Sequence, residues 1–552
     1  VIEPGLRAAA EAWRDDDPDP VTRAEVEALL GSGDGAALRD RFGAGLTFGT
    51  AGLRGALGAG PNRMNRVVVR RTAAALVRWL DDHDVTGPVV VGRDARHGSL
   101  EFAEDTAAVV AGAGRDVVLA AGHIPTPLLA FAVRSLDAAA GVMVTASHNP
   151  PQDNGYKVYA ADGAQIVPPS DTEIADHIRA VRSIGELPLA RLDDPCIRPL
   201  PETVVAEYLD GVAALRVVPS SEGPAVVYTP MHGVAGSLLE RAFRHSGFDP
   251  PDVVPEQAAP DPDFPTVAFP NPEEPGAMDL LLARAADGDA DLAIANDPDG
   301  DRLAVAVPDA GDWRALSGDE IGVLLADHLL RHGTGSDRLV VTTVVSSSML
   351  QALAAQHEVT FVETLTGFKW LARAGMARPE LRFVLGYEEA LGYSVGSLVR
   401  DKDGISAAVV FTELAATLAA EGSSVPQRLD ELATDLGVHR TRQFSSRFEG
   451  LDGPDRMAAV VERLREEPPR ALGGTTITDV EDLALGERLP PTDAVILRGS
   501  GLRVIVRPSG TEPKLKSYFE VVEPVTTMVD EARSRADERL ASVIADFAGV
   551  LA

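Results

Sequence analysis

The chain has 552 residues, 45% of them hydrophobic, and carries 51 Lys and Arg against 83 Asp and Glu, a formal net charge of −32. A single core stops growing at roughly 250–300 residues, so about three or four domains are expected; the negative charge argues against nucleic-acid partners but leaves room for a basic pocket that takes a small anion. No apolar run reaches the roughly 20 residues of a membrane span, and the only cysteine, Cys196, rules out an intrachain disulfide and fits a reducing cytoplasm.

Residues 1–17 read as an amphipathic helix, and they lack the apolar h-region of a secretory signal. The glycine-rich run 49–55 holds one cation, Arg54, placed to approach a phosphate. From 85 to 145 the chain alternates strand (89–91), helix (100–113), strand (116–120), helix (128–136) and strand (141–144), the pattern of an α/β layer with a mainly parallel sheet. Ligands in such sheets gather at the strand carboxyl ends. One such end is Thr145-Ala146-Ser147-His148-Asn149-Pro150, continuing to Lys157, where a serine beside a histidine suits nucleophilic or phosphoryl chemistry. A polar loop with a proline stop has the same local pattern.

The alternation restarts twice. Strand 225–228 and helix 235–245 precede a Pro-rich stretch, 250–275, read as a surface excursion. Strand 291–295 then runs into Asn296-Asp297-Pro298-Asp299-Gly300-Asp301-Arg302, three aspartates at alternate positions on a tight loop that can converge on one hard cation. A solvated acidic turn is the alternative, but the flanking apolar strands would leave three carboxylates repelling one another. A further run follows: helix 321–330, strand 339–345, helix 349–357 and strand 360–363. The paired Glu388 and Glu389 at a strand end suit sugar hydroxyls or a solvated loop, and Arg400-Asp401-Lys402-Asp403-Gly404 opens a helix whose N-terminus favours anions. After 423–426 the pattern changes to a helix at 456–466, strands near 475–480, 494–497, 502–506 and 515–521, and a last helix over 527–548, an α+β unit. Within it Arg507-Pro508-Ser509-Gly510-Thr511-Glu512-Pro513-Lys514 has the composition of a phosphate cradle without the Walker A spacing.

Only five lysines occur, at 157, 369, 402, 514 and 516, each in a short stretch rich in Gly, Asp, Ser or Glu. Arginine bias explains the shortage but not the placement. Lysine is a compact point charge with a tunable pKa, so at least three of the five are expected to line one site.

Together these segments, from Gly49 to Lys516, resemble the α-D-phosphohexomutase superfamily, the phosphoglucomutases and phosphomannomutases. Residues 388–393 and 401–404 bring the resemblance closest to the phosphoglucomutase-2-like branch, some members of which act on phosphopentoses. The resemblance implies three similar α/β domains with mixed, mainly parallel sheets and a C-terminal α+β domain of the TATA-binding-protein-like type around a central cleft, with boundaries expected at 1–205, 206–315, 316–435 and 436–552. It implies a phosphoserine at Ser147, Mg²⁺ held by Asp297, Asp299 and Asp301 with the phosphoserine completing the shell, and catalytic parts for His148, Lys157 and Arg302. Arg54, Lys369, Glu388, Lys402, Arg507, Ser509, Gly510 and Thr511 would bind substrate, with 366–369 as the third-domain loop. The reaction implied is interconversion of glucose 1-phosphate and glucose 6-phosphate through a sugar 1,6-bisphosphate, which also serves as activator. Mannose or pentose phosphates are alternative substrates. Glucose 1,6-bisphosphate synthesis is a different chemical outcome, and a sugar-phosphate-binding regulator a non-enzymatic one. Ala390 stands where many relatives carry a serine, so one hydroxyl contact is lost, and a histidine that some relatives carry in that loop is missing, which leaves the second acid/base group unassigned.

Overall fold

The structure is a computed structural model that describes residues 2–49, 52–218, 223–448, 453–508 and 514–551. The chain groups into two compact units, Val1–Leu316 with Ala390–Ala416, and Ser317–Glu389 with Thr417–Ala552.

The first unit holds two sheets. Val89–Arg93 reads Val-Val-Val-Gly-Arg and is buried over its first four residues, as a strand covered on both faces requires. It pairs in parallel with Val117–Leu119 and Ala140–Val144, and Val117–Leu119 pairs in parallel with Ile197–Pro199. Asp153–Ala160 closes the other side antiparallel to Ala140–Val144, and Leu53–Ala56 adds antiparallel to it. The helix Arg66–Asp82, capped by Asn65 on the Val68 amide, buries Val67, Val69, Leu76 and Leu80 in this domain's core. In the second sheet Val226–Thr229 lies parallel to Leu292–Ala295 and to Asp252–Val253, and Ala304–Asp309 folds back antiparallel. The N-terminal helix is present as Pro4–Asp16.

In the second unit Arg338–Thr343 pairs in parallel with Thr360–Thr364 and Arg382–Glu388. The C-terminal sheet is a curled antiparallel one in the order Val438–Arg447, Lys514–Glu523, Leu502–Pro508, Val495–Gly499, Thr475–Asp482, Ala471–Leu472. The helix Val529–Leu551 buries Ala532, Ala536, Leu540, Val543 and Phe547 in a cluster with the sheet's Val504, Leu515 and Phe519. Among the described residues no single helix is long and apolar enough to cross a membrane.

The segment 154–157, which the sequence left without an element, is part of the eight-residue strand Asp153–Ala160. Two expectations change. The Pro-rich excursion is more than surface, since it supplies the strand Asp252–Val253 and the buried Gln257 and Phe264. Ser424 caps the helix Val425–Leu436, so the break at 423–426 starts a helix.

Candidate active site

Ser147 follows the buried strand Ala140–Val144 and takes a left-handed backbone, φ 54°. For a non-glycine residue that conformation costs roughly 1–3 kcal/mol and collects at functional sites. The Ser147 amide donates to Thr145 Oγ1 at 2.8 Å, which fixes the turn. Its hydroxyl donates to Asp297 Oδ2 at 2.9 Å and lies 3.1 Å from His148 Nδ1.

Asp297, Asp299 and Asp301 are fully buried, and one ligand oxygen from each lies within 4.8 Å of the others. Gly300 has φ 73°, which lets the loop turn the second and third carboxylates inward. Asp299 Oδ2 accepts from Thr126 Oγ1 at 2.5 Å and from Lys157 Nζ at 2.7 Å, and Asp301 Oδ2 accepts from Lys157 at 2.9 Å. The other oxygens, Oδ1 of Asp299 and Oδ1 of Asp301, are buried without a hydrogen-bond partner. Buried anionic oxygens left unsatisfied are costly, and three converging carboxylate oxygens are a donor set for a hard cation. The triad fits one.

The charges order the protonation states. Burial, then the Asp299 and Asp301 charges, hold Asp297 well above the usual carboxylate range. Burial also raises Asp301, but Lys157, Lys402 and Arg302 reverse it and hold it low. Burial lowers Lys157, and the two aspartates more than offset this, so the ammonium stays charged. His148 is pushed well below its ordinary value by burial and then by Arg302 and Arg54, so its ring is neutral.

Arg54 Nη1 donates to Asn149 Oδ1 at 3.0 Å, which ties the glycine-rich strand to the serine loop. Arg302 pairs with Glu273 at 2.9 Å, and its amide donates to Asp297 Oδ1 at 3.0 Å. Lys402 packs within the first compact unit, 3.4 Å from Asp301 Oδ2 and 3.3 Å from Asp401 Oδ1. Gly404 makes this approach possible, because a Cβ there would stand 2.2 Å from the Arg302 carbonyl oxygen. The helix it opens, Gly404–Ala420, does not present the anion site expected of its N-terminus. Asp403 caps it instead, accepting from the amides of Ile405 at 3.0 Å and Ser406 at 3.1 Å.

In the second unit the loop 366–369 joins two expected residues: the Gly367 amide donates to Glu388 Oε1 at 2.8 Å, and Arg507 donates to Thr366 Oγ1. Lys369 is buried, its ammonium 5.2 Å from the Trp370 ring centroid. Lys516 sits directly opposite Arg507 in the sheet register, and strand alternation puts Lys514 on the same face as Lys516. Burial and then the Glu388 charge push Glu389 up to about 7. Ser509, Gly510 and Thr511 lie outside the described residues, as do Thr50 and Ala51 of the glycine-rich run. Two of the five lysines, Lys157 and Lys402, therefore converge on one carboxylate.

Sequence reasoning missed Thr126, which supports Asp299, and Arg96, which donates to four backbone carbonyls around the serine loop. Neither carries a local motif. The strand Val89–Arg93 runs directly into the turn in which the Arg96 amide donates to Asp94 Oδ1.

Four domain profiles match the chain in order: phosphoglucomutase/phosphomannomutase alpha/beta/alpha domain I over residues 45–184, domain II over 206–311, domain III over 317–436, and the C-terminal domain over 470–533. The chain belongs to the phosphoglucomutase/phosphomannomutase family. It is a phosphosugar mutase, an isomerase-class enzyme that transfers a phosphoryl group. A Haemophilus influenzae protein named "Probable phosphomannomutase" is 40% identical over 87% of this chain and 98% of its own length. The Homo sapiens phosphopentomutase is 36% identical over 96% and 94%, and the Staphylococcus haemolyticus phosphoglucomutase 36% over 86% and 90%. A solved structure of a candidate phosphomannomutase from Thermus thermophilus superposes with TM-score 0.68 at 27% identity, over 90% of this chain and 99% of that one. In this mutase the domain I match holds Ser147 and Lys157, and the domain II match holds the aspartates.

Proposed function

We propose that this mutase interconverts glucose 1-phosphate and glucose 6-phosphate through a phosphoserine at Ser147 and a glucose 1,6-bisphosphate that also primes the enzyme. The observation that carries the phosphoserine is the Ser147 hydroxyl 2.9 Å from Asp297, beside a buried triad with two unsatisfied oxygens. Asp297, Asp299 and Asp301 would hold Mg²⁺, which offsets charge on the transferring phosphoryl oxygens.

The charge states favour one half-reaction in particular. Ser147 attacks the bisphosphate, its proton passes to the neutral His148, and Lys157, held protonated by Asp299 and Asp301, gives a proton to the departing sugar oxygen. The opposite half-reaction reverses these transfers after the bisphosphate has turned around. Arg302 and Arg54 add positive charge beside the serine loop, and Lys402 does so at Asp301. For Lys369, Glu388 and Arg507, and for Ser509, Gly510 and Thr511, the roles rest on resemblance: sugar hydroxyls at Glu388, and the non-reacting phosphate at the arginine and its loop. The same reading divides the chain at 1–205, 206–315, 316–435 and 436–552 and sets it in the cytoplasm.

Ser147→Ala, supplied with trace glucose 1,6-bisphosphate, is expected to lose turnover, and intact turnover would sink the phosphoserine mechanism. The sugar has a second reading. Ala390 offers no hydroxyl in the sugar loop, and a relative spanning almost the whole chain is named a phosphopentomutase, so pentose phosphate is the competing substrate. Parallel kcat/KM values on glucose, mannose and ribose 1-phosphates decide between them.

A further inference from the structure

We infer that Arg96, held beneath the ring of Phe264, is the positioning residue that sets the backbone of Ser147 for phosphoryl transfer. This rests on the reading of Ser147 as the phosphoryl carrier. The Arg96 side chain is 1% exposed. Its Nη2 donates to the carbonyl oxygens of Ser147 at 2.5 Å and Asn149 at 2.6 Å, and its Nη1 to those of Pro150 at 2.9 Å and Asp153 at 3.2 Å. Its Nε lies 3.3 Å from Asp94 Oδ2. Asp94 is itself fixed, because its Oδ1 accepts from the Arg96 amide at 3.0 Å and from Ser99 Oγ at 2.7 Å.

Four carbonyls around the serine loop thus converge on one planar fork. A guanidinium presents five donors in fixed directions, and an ammonium presents three on a flexible stem. The left-handed φ of Ser147 turns its carbonyl toward Arg96, while its hydroxyl meets Asp297. Holding the carbonyl therefore holds the nucleophile's direction.

The Pro-rich excursion supplies the other half of the device. The Phe264 ring centroid is 4.9 Å from Arg96 Cζ, and Phe264 is buried with a left-handed φ of 46°. From the same excursion Glu273 pairs with Arg302, whose amide donates to Asp297. The excursion thereby braces both partners of the Ser147 hydroxyl contact, the serine loop through Arg96 and Asp297 through Arg302.

The test times single-turnover phosphorylation of Ser147 by glucose 1,6-bisphosphate, read by intact mass. In that step the sugar O–P bond breaks, the Oγ–P bond forms, the serine proton passes to His148 and Lys157 protonates the sugar oxygen. A reacting atom misplaced by about 1 Å loses on the order of 100-fold in rate. Arg96→Lys is therefore expected to slow phosphorylation and kcat by about 100-fold with KM changed less than about threefold, because Arg96 bonds to backbone and not to substrate. Phe264→Ala keeps every hydrogen-bonding group and is expected to lose about tenfold in kcat, again without a KM change. It carries the test should the arginine variant not fold. Wild-type rates in both variants, or a loss that falls wholly in KM, would overturn the assignment. If wild-type Ser147 takes up no phosphoryl group, the carrier reading itself fails, and this one with it.

Discussion

Replacing Lys157 by methionine tests the electrostatics of the triad without touching an aspartate. The Lys157 side chain is 5% exposed, and its ammonium stands 2.7 and 2.9 Å from carboxylates that are fully buried. Removing one partner of a buried ion pair costs about 3–5 kcal/mol, because the other is left uncompensated. Lys402, at 3.4 Å from Asp301, is the nearest remaining ammonium. Metal-free Lys157→Met should therefore unfold in urea with a free energy lower than wild type by about 3–5 kcal/mol. Saturating a cation site to about 100 times its Kd adds about 2.7 kcal/mol to any protein that binds it only when folded. The gain should be larger in the variant, because there the cation no longer shares Asp299 and Asp301 with an ammonium. The gap between wild type and variant measured in EDTA should shrink by at least half in excess Mg²⁺. The assay is urea unfolding followed by tryptophan fluorescence with and without the ion. An equal gap in both buffers would refute the argument that lysine and cation draw on the same carboxylates.

Gly300→Ala places a Cβ 2.8 Å from that of Ala235 at a φ of 73°, so calorimetry should show Mg²⁺ affinity weakened at least about tenfold, along with about 1–2 kcal/mol of lost stability. Burial pushes Asp319 up to about 6, over the opposing hydrogen bonds from Ser347 and Thr441. The folded state thus keeps this proton to higher pH than the unfolded chain. Its stabilising contribution is present below about pH 4 and is lost as pH rises through 6, and Asp319→Asn should flatten that window by about 3 kcal/mol in unfolding measured across pH 4–7. Arg428 donates to both oxygens of the buried Asp327 at 2.7 and 2.8 Å. Arg428→Met should cost about 3 kcal/mol, and the double variant with Asp327→Asn should recover part of it, as a double-mutant cycle in urea will show.

The sequence was most legible where chemistry is local. Alternating aspartates on a Gly/Pro loop, and a serine beside a histidine at a strand end, have nearly the same meaning folded or unfolded, and strand–helix alternation announced the α/β domains before any coordinate. It was least legible where distant segments complete one another. Nothing in the sequence marks Asp153–Ala160 as a strand, because Asn154, Gly155 and Lys157 are poor strand signals, yet Lys157 is buried there because Asp299 and Asp301 neutralise it. Arg96 recognises backbone carbonyls, which every residue owns, so no side-chain pattern announces its target. Lys402 follows the third parallel run in sequence, and only the fold shows the chain returning to Asp301.

That return sets a schedule for synthesis. The first unit is finished by Ala390–Ala416, which brings Lys402 to Asp301, Asp403 to the Tyr208 hydroxyl and Glu413 to Arg216. Lys402 leaves the ribosome about 100 residues after Asp301, roughly 5–20 s later at ordinary elongation rates. Throughout that interval the aspartate loop exists without one of its two lysines, while Ser317–Glu389 of the second unit is emerging. In a nascent chain stalled before residue 390, Lys157 is the one ammonium available to Asp299 and Asp301. The aspartate loop of this enzyme is thus made early and completed late.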